Sequence, residues 1–361
     1  MRGVRRGSVG SEFMATEIVA LQPEEQEIAA HFLASVFAVS PDFPFIDPLL
    51  FHWKYFLPRS DWSGPRSWVL KEDGHILAHA GIWPLSFLLP GKEVRSMHII
   101  DWAGKPDAAG AGVVLYREVA RQASTLLGVG GSRIARKVVR MLGFPEPGRC
   151  ETYVRVIRPW RQHRTRGALG PSWKKALKLL RNTVWSLAAK GAAAGWSAKA
   201  VDSFSESVTR LWERHDRSRW TFVQRTPAFL NYVLACPAGC RGFLLFRNGE
   251  LAGRLLLSQQ AGQTRVADLW IASGEPGDWA AAYALAIEVA GMDPRCCELT
   301  VRCSTPLVKS ALLANGFRFS HDEPIWLHDP SGLMNGAAPL HIQALDSDSF
   351  LAFNPSDPYL T

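Results

Sequence analysis

The chain has 361 residues, of which 47% are hydrophobic and 20% charged, so it can bury a sizeable core and fits two domains better than one. This composition excludes a disordered chain, and the sequence has no uninterrupted run of about 18 apolar residues that would predict a membrane-spanning helix. Lys and Arg outnumber Asp and Glu by 41 to 33, and the net charge of +8 favours an anionic partner: a phosphorylated cofactor, nucleic acid or an acidic lipid surface. A basic protein without such a partner is the alternative.

The first segment, residues 1–13, is rich in Gly, Ser and Arg and has no apolar stretch. We interpret it as a leader outside the fold, with a native start at Met14. The six cysteines form no Cys-x-x-Cys pair and have no nearby pair of histidines, so no metal site is predicted. We expect reduced thiols, as in a cytoplasmic protein.

Two hairpins are predicted at corresponding places in the chain. Residues 67–70 and 75–89 flank Asp73-Gly74, and residues 242–247 and 250–258 flank Asn248-Gly249, a pair typical of a type I′ turn. Each hairpin is followed by a further strand, at 96–102 and 264–271, and then by a helix, at 111–126 and 280–290.

Three landmarks recur at nearly constant spacing. The turn glycines Gly74 and Gly249 are 175 residues apart, two Glu-Val-Ala triplets are 170 apart, and the Gly-Phe pairs at 143 and 316 are 173 apart. A Gly that ends a helix, followed by an apolar residue packing back on its last turn, is a common C-cap. The spacing predicts a duplicated unit, with domains at 14–158 and 201–330, a linker at 159–200 and a tail at 331–361.

The loop at 104–112 consists mainly of small residues between a predicted strand and a predicted helix. Such a loop lets the backbone approach an anion, and the helix adds free N–H groups and the positive end of its dipole. It therefore predicts a pyrophosphate cradle, and a tight turn without a ligand is the alternative. The residues assigned to the cradle are Trp102, Lys105, Ala108, Ala109, Gly110, Ala111, Gly112 and Val113.

The order strand, loop with Gly-x-Gly, helix, strand, helix and terminal Gly-Phe resembles the GNAT N-acetyltransferase superfamily. The resemblance implies an α/β fold of two tandem GNAT-like units, each a mixed twisted sheet flanked by helices. It also implies acetyl-CoA or a longer acyl-CoA as co-substrate, bound at Gly110-Ala111-Gly112. Asp107 stands where the family has Arg or Gln, and Lys105 is the neighbour that could supply the missing charge.

In this family an acceptor amine attacks the thioester carbonyl beside the strand that precedes the loop. The resemblance implies that backbone N–H groups near Asp101 and Trp102 polarise the carbonyl, and that His98 or Asp101 is the base. A regular strand would point these two side chains to opposite faces, unless a bulge intervenes. The family's acidic Tyr is replaced by Val139, so Tyr116, water or an inactive site are the alternatives.

The corresponding loop of the second copy, at 273–279, contains Glu275, Pro276 and Asp278. Carboxylates would repel a pyrophosphate, so coenzyme A is predicted to bind the first copy only. Paired units with one degenerate half also resemble the FemABX and CelD-like acyltransferases, over roughly residues 205–328.

The linker carries ten Lys and Arg between residues 158 and 199. Trp173, Leu177, Leu180 and Val184 follow helical spacing, which predicts an amphipathic basic helix. It could dock on the protein body, lie on an anionic membrane or bind RNA, with nucleic acid the least favoured partner.

The leading interpretation is an acyl-CoA-dependent N-acyltransferase whose acceptor is an amine on a small molecule, an amino sugar or a cell-envelope precursor. A FemABX-like aminoacyltransferase that uses aminoacyl-tRNA is one alternative. A GNAT-fold binding module without catalysis is another. The expected location is the cytoplasm, with the inner face of the membrane as a peripheral site. The tail predicts no function.

Overall fold

The computed structural model describes residues 16–40, 43–165, 172–213, 219–351 and 358–361, so the predicted leader and Met14 lie outside it. The strands are β1 (Thr16–Ala20), β2 (Ser67–Glu72), β3 (His75–Leu89), β4 (Lys92–Gly104), β5 (Thr125–Val129), β6 (Gly148–Val156), β7 (Trp196–Val201), β8 (Thr221–Val223), β9 (Cys240–Arg247), β10 (Glu250–Gln260), β11 (Gln263–Ile271), β12 (Glu298–Cys303), β13 (Arg318–His328) and β14 (Leu340–His341). The helices are α1 (Gln26–Phe37), α2 (Pro48–Tyr55), α3 (Ala111–Val119), α4 (Arg133–Met141), α5 (Pro159–Thr165), α6 (Ser172–Ser186), α7 (Ser207–Glu213), α8 (Pro227–Leu234), α9 (Pro276–Met292) and α10 (Pro306–Ala314).

The two halves of the sheet have the same internal order. One side runs β1-β2-β3-β4-β5, the other runs β7-β9-β10-β11-β12, and β13 and β6 lie between them. In each half an antiparallel hairpin, β3–β4 or β10–β11, is followed by a parallel neighbour, β5 or β12. The predicted fold class, a mixed sheet flanked by helices, is confirmed, and the repeated strand order agrees with the predicted duplication.

The halves exchange their last strands. β6 follows the first half in sequence but pairs with β12, whereas β13 follows the second half and pairs with β5. β6 and β13 then pair with each other at the centre. The predicted boundary at residue 158 thus lies just after a strand that pairs with the second half, and the halves share one sheet.

Turns and caps follow local sequence. Asn248 and Gly249 have φ of 51° and 83°, as a type I′ turn requires. Gly143 and Gly316, with φ of 77° and 71°, end α4 and α10 as predicted. The helix predicted at 111–126 is too long. It ends at Val119, and residues 125–129 instead form β5, because their buried apolar side chains complete the sheet beside β4.

Each face of the first half has its own core. On one face Met97 and Ile82 pack with Leu115 of α3. On the other, Ile100 packs in the cluster that includes Phe51 of α2. The C-terminal residues Ile342, Leu345 and Phe350 are also fully buried in this second cluster, so the tail is an integral layer of the fold. In the described part of the chain no helix is long and apolar enough to cross a membrane.

Candidate active site

β4 contains a β-bulge at Asp101 and Trp102. The register of the β3–β4 pair shifts between His79 and Gly81, so these two residues together lie opposite Ala80. Asp101 has a φ of 46°, in the left-handed region. A bulge leaves its extra residue outside the ladder and redirects the following side chains. Asp101 is thereby brought to the face that carries α2, where its contacts lie.

β4 and β5 separate at the level of this bulge. They pair in parallel only from Ser96 to His98, whereas β4 continues to Gly104. β5 ends at Val129 and is followed by Gly130 and Gly131, with φ of 75° and 96°, before α4 begins. The two strands are parallel, so α3 and α4 begin at the same edge of the sheet, on either side of the opening.

The Asp101 carboxylate is the centre of a polar cluster. Its Oδ2 accepts hydrogen bonds from the Lys54 ammonium, at 2.6 Å, and from the Tyr55 hydroxyl. The Lys54 Nζ also donates to Asp348 Oδ2 at 2.6 Å. The side chain of Lys54 is 2% exposed, while those of Asp101 and Asp348 are 13% and 24% exposed. The cluster thus joins one buried cation to two partly accessible carboxylates.

The charges of the cluster fix its protonation. Burial alone would raise the pKa of Asp101, but the charge of Lys54 and the hydrogen bonds from Lys54 and Tyr55 hold it below its usual value. Burial would lower the pKa of Lys54, yet Asp101 and Asp348 raise it above its ordinary value. Burial and the Asp101 charge raise the pKa of Tyr55. At neutral pH Lys54 is therefore protonated and Asp101 ionised, and one ammonium group faces the carboxyl groups of both Asp101 and Asp348.

His98 differs from Asp101 in this respect. Burial lowers the pKa of His98 to about 4, so the ring is neutral at neutral pH. Its Nε2 accepts a hydrogen bond from the Val129 N–H at 3.4 Å, and its buried Nδ1 has no hydrogen-bond partner among the described residues. The unprotonated ring nitrogen, Nε2, is thus already engaged in a hydrogen bond. His79 has a positioning role, since its ring bonds the Asp101 carbonyl and the Ser67 hydroxyl, both at 2.9 Å.

Tyr116 does not join this cluster, which corrects its sequence assignment as an acid. It lies on α3 with 7% exposure, and its ring centroid is 4.7 Å from that of Trp102 and 6.0 Å from that of Phe144. Burial raises its pKa. Tyr116 packs on the face covered by α3, whereas Asp101 contacts α2 on the opposite face.

The glycine loop forms the tight helix start that its sequence predicts. Gly110 caps α3 with a φ of 89°. A Cβ on Gly104 would lie 3.2 Å from the Gly112 nitrogen, so the two backbones meet without side chains between them. The Trp102 indole donates to the Gly112 carbonyl at 2.7 Å. Trp102 and Gly112 therefore hold the loop against β4.

A cleft of about 650 Å³ lies outside this loop. Predicted cradle residues line it, together with Asp107 and two carboxylates that sequence reasoning overlooked, Glu17 and Glu72. The cradle residues in the lining are Lys105, Ala108, Ala109, Gly110 and Ala111. The Lys105 ammonium lies 3.1 Å from the Asp107 carboxylate. This exposed ion pair partly offsets the charge that Lys105 was expected to supply, and the role of Lys105 stays a prediction.

α4 carries cations that the sequence analysis also missed. Arg136 and Arg140 each approach a glutamate, at 3.6 and 3.7 Å. Arg133 and Lys137 are exposed and make no ion pair with any described residue. The sequence signal for these cations was four Lys and Arg residues within the nine residues of α4, which begins soon after Gly130-Gly131.

No protein-family model matches the sequence, and no curated protein matches it. Solved structures match it in fold. A GCN5-related N-acetyltransferase from Anabaena variabilis aligns with a TM-score of 0.58 at 12% identity, over 87% of this chain and 73% of that one. A Saccharomyces cerevisiae N-myristoyltransferase with bound myristoyl-CoA and inhibitors aligns with a TM-score of 0.58 at 12% identity, over 87% and 80%. The chain has the GNAT fold.

A third structure, a putative acetyltransferase from Pyrococcus horikoshii, aligns over 91% of this chain and 94% of that one, with a TM-score of 0.51 and 12% identity. The alignments span both halves of the shared sheet. The predicted resemblance to the GNAT fold is confirmed, and the weaker FemABX resemblance stays a prediction.

The second half separates in a similar way, since β11 pairs with β12 only from Gln263 to Val266 and continues to Ile271, but the side chains around Asp268 beyond this point are buried. Asp268 lies five residues after Gln263, where β11 begins to pair with β12, just as Asp101 lies five residues after Ser96 in β4. The Asp268 carboxylate accepts hydrogen bonds from Arg225 at 3.1 Å and from Arg254 at 3.0 Å. These three side chains are at most 2% exposed.

The tail fills the remaining space in the second half. The Gln343 amide oxygen accepts the Leu269 N–H at 2.9 Å.

In the loop at 273–279, the Asp278 carboxylate accepts from the Ser273 hydroxyl at 2.5 Å and from Arg247 at 2.8 Å. Ser273 also accepts from the Glu275 N–H at 3.1 Å. The polar groups of this loop thus bond one another.

Proposed function

We propose that this chain is an acyl-CoA-dependent N-acyltransferase with its reaction centre at the β4 bulge of the first half. One juxtaposition carries the proposal: the Asp101 cluster, the opening between β4 and β5, and the helix start at Gly110 lie at the same strand end. The neighbouring folds support acyl-group transfer, since the yeast N-myristoyltransferase structure contains myristoyl-CoA.

The backbone of the loop fits a pyrophosphate. Gly104, Gly110 and Gly112 keep side chains away, although the N–H groups of Ala111 and Val113 already donate to the loop carbonyls of Ala108 and Gly110, at 3.1 and 2.9 Å, and a phosphate would have to compete for them. The carboxylates of Glu17 and Glu72 oppose a phosphate in the outer cleft. We therefore propose that the nucleotide phosphates lie on the side of the loop away from Glu17 and Glu72, with the exposed Arg133 and Lys137 of α4 as candidate cations.

The acceptor amine is assigned to the Asp101 cluster. Two carboxylates share the single Lys54 cation, so an ammonium group would complete the charge balance. The ammonium first gives one proton to Asp101 or through it to water, which leaves a neutral amine. The amine nitrogen then attacks the thioester carbonyl carbon, the N–C bond forms and the C–S bond breaks. A second proton leaves the nitrogen for water by the same route, and the thiolate takes a proton from water.

The chain's own groups direct this step. The peptide groups at Asp101 and Trp102, released from the ladder by the bulge, are assigned to polarise the carbonyl. Because the pKa of Asp101 is low, its carboxylate is better suited to hold and orient the amine than to retain its proton. The acceptor is proposed as a small amine, an amino sugar or a cell-envelope precursor. The closed second half supports a single coenzyme A site.

Mass analysis of ligand retained by the purified protein, with calorimetric titration of coenzyme A, tests the proposal. We expect one site, and Gly110→Val should weaken it more than about tenfold because the cap and the approach to phosphate are lost. Gly249→Val is the matched control, since Gly249 has a similar φ of 83° in the hairpin of the second half. It should leave the affinity unchanged.

Two equivalent sites, or one site indifferent to Gly110→Val, would contradict this assignment. Retention of tRNA without coenzyme A binding would favour the aminoacyl-tRNA alternative instead. Free-thiol release from acetyl-CoA and longer acyl-CoA, measured with a panel of amines, then identifies the acyl donor and the acceptor class.

A further inference from the structure

α6 is oriented with its polar side toward the protein. The Asn182 side chain is 3% exposed and donates to Gln162 Oε1 at 2.8 Å and Thr361 Oγ1 at 3.2 Å. Amphipathic helices of globular proteins normally bury their apolar side. Here the apolar side faces solvent, in the order Trp173 (60% exposed), Leu177 (56%), Leu180 (63%) and Val184 (60%).

Two further apolar side chains extend this surface. Trp160 of α5, which packs against α6, is 63% exposed, and Leu187, just beyond the end of α6, is 79% exposed. We call these six side chains the outer face of α5–α6. Docking on the protein body was one expectation for the row of Trp173, Leu177, Leu180 and Val184, and the described structure leaves that row uncovered.

Positive charge surrounds the outer face. Residues 157–201 contain ten Lys and Arg and no Asp or Glu, and the other 31 Lys and Arg are fewer than the 33 acidic residues. The excess positive charge of the whole chain therefore resides in this segment. Arg181 lies 4.4 Å from the Trp185 ring and the Lys174 ammonium lies 5.5 Å from the Trp173 ring, so cations flank the aromatic side chains.

We propose that the outer face of α5–α6 binds the surface of an anionic phospholipid bilayer. The aliphatic row would enter the boundary between headgroups and acyl chains while the lysines and arginines meet lipid phosphates. RNA would use the cations but offers nothing to the aliphatic row of Leu177, Leu180 and Val184. A second copy of the chain would bring two strongly cationic surfaces together.

Co-sedimentation of the full chain with vesicles tests this proposal. We expect binding to vesicles of phosphatidylglycerol and phosphatidylcholine, and little binding to phosphatidylcholine alone. Leu177→Gln with Leu180→Gln should weaken binding at least about tenfold, because apolar area no longer leaves water. Lys174→Gln should weaken it about fivefold, and added salt should do the same.

The matched control is Met292→Gln with Leu313→Gln, which removes two other apolar side chains, 77% and 51% exposed, in the second half. It should bind vesicles like the parent. All variants change exposed residues, and thermal unfolding checks that they fold. No sedimentation, equal binding to both vesicle types, or undiminished binding by the leucine variant would overturn the proposal. Retention of RNA, or a dimer abolished by the leucine variant, without vesicle binding would assign the face to those partners instead.

Discussion

Asp101 on β4 and Asp268 on β11 occupy equivalent positions in the two halves of the sheet. Their surroundings differ in charge and in exposure to solvent. Around Asp268, two arginines meet Asp268 and Asp346, and all four side chains are at most 2% exposed. Around Asp101, a single Lys54 serves both Asp101 and Asp348, which remain partly exposed. A balanced, closed cluster stabilises the fold, whereas an open one with excess negative charge can receive a cationic ligand.

The largest expected effect is on catalysis, in which the two aspartates should differ. Asp101→Asn should lower turnover by about 10² to 10⁴, because the amine loses its carboxylate partner and proton route. Thiol release from acyl-CoA with an accepted amine is the assay, and coenzyme A affinity by calorimetry should change little. Near-parent turnover would remove Asp101 from the mechanism and leave the cofactor assignment intact.

Stability should show the reverse order. Asp268→Asn removes the buried carboxylate charge that Arg225 and Arg254 share, so the free energy of unfolding should fall by about 3–5 kcal/mol. In Asp101→Asn, Lys54 keeps Asp348, and we expect a loss of about 1–2 kcal/mol. Urea denaturation of both variants measures the difference. Equal losses of unfolding free energy would mean that the two clusters contribute equally to stability.

The pH dependence of stability isolates His98. Its folded pKa of about 4 lies below the ordinary value of about 6.5, so the unfolded chain binds more protons between these pH values. Stability is therefore complete above about pH 6.5 and is lost as pH falls toward 4, by about 2–3 kcal/mol for this group. His98→Gln, whose amide can still accept from Val129, should reduce that loss.

His98→Gln also tests the choice of base. Its turnover at neutral pH should stay within about tenfold of the parent, because the histidine nitrogen that could accept a proton is already bonded. A fall comparable to that of Asp101→Asn would reverse the assignment, provided that coenzyme A still binds.

The smallest effect concerns the phosphate side of the first half. Arg133→Gln and Lys137→Gln should each weaken coenzyme A binding about two- to fivefold, since exposed charge pairs contribute up to about 1 kcal/mol. Lys199→Gln, an exposed lysine of β7, is the control and should have no effect. Unchanged affinity in both α4 variants would direct attention back to Lys105.

Part of the site could be predicted because its determinants are close in sequence. The turn at Asn248-Gly249, the caps at Gly143 and Gly316 and the helix start at Gly110 each depend on one backbone conformation that glycine or asparagine permits. The helix predicted to reach residue 126 was wrong for a related reason. Apolar spacing alone does not distinguish the end of a helix from a following buried strand.

The sequence by itself determined the GNAT resemblance, the hairpins, the glycine loop and the repeated order of elements, since these rest on turn chemistry and periodicity within short segments. The tertiary structure decided the partners of Asp101, because Lys54 lies 47 residues before it and is itself joined to Asp348 across 294 residues. It also decided the side of β4 from which Asp101 acts, because one inserted residue redirects a strand. The tertiary structure also decided the exchange of β6 and β13 between the halves and the solvent-facing apolar side of α6. Strand pairing and burial depend on which surfaces pack together, whereas a local sequence pattern shows only which faces of an element are apolar.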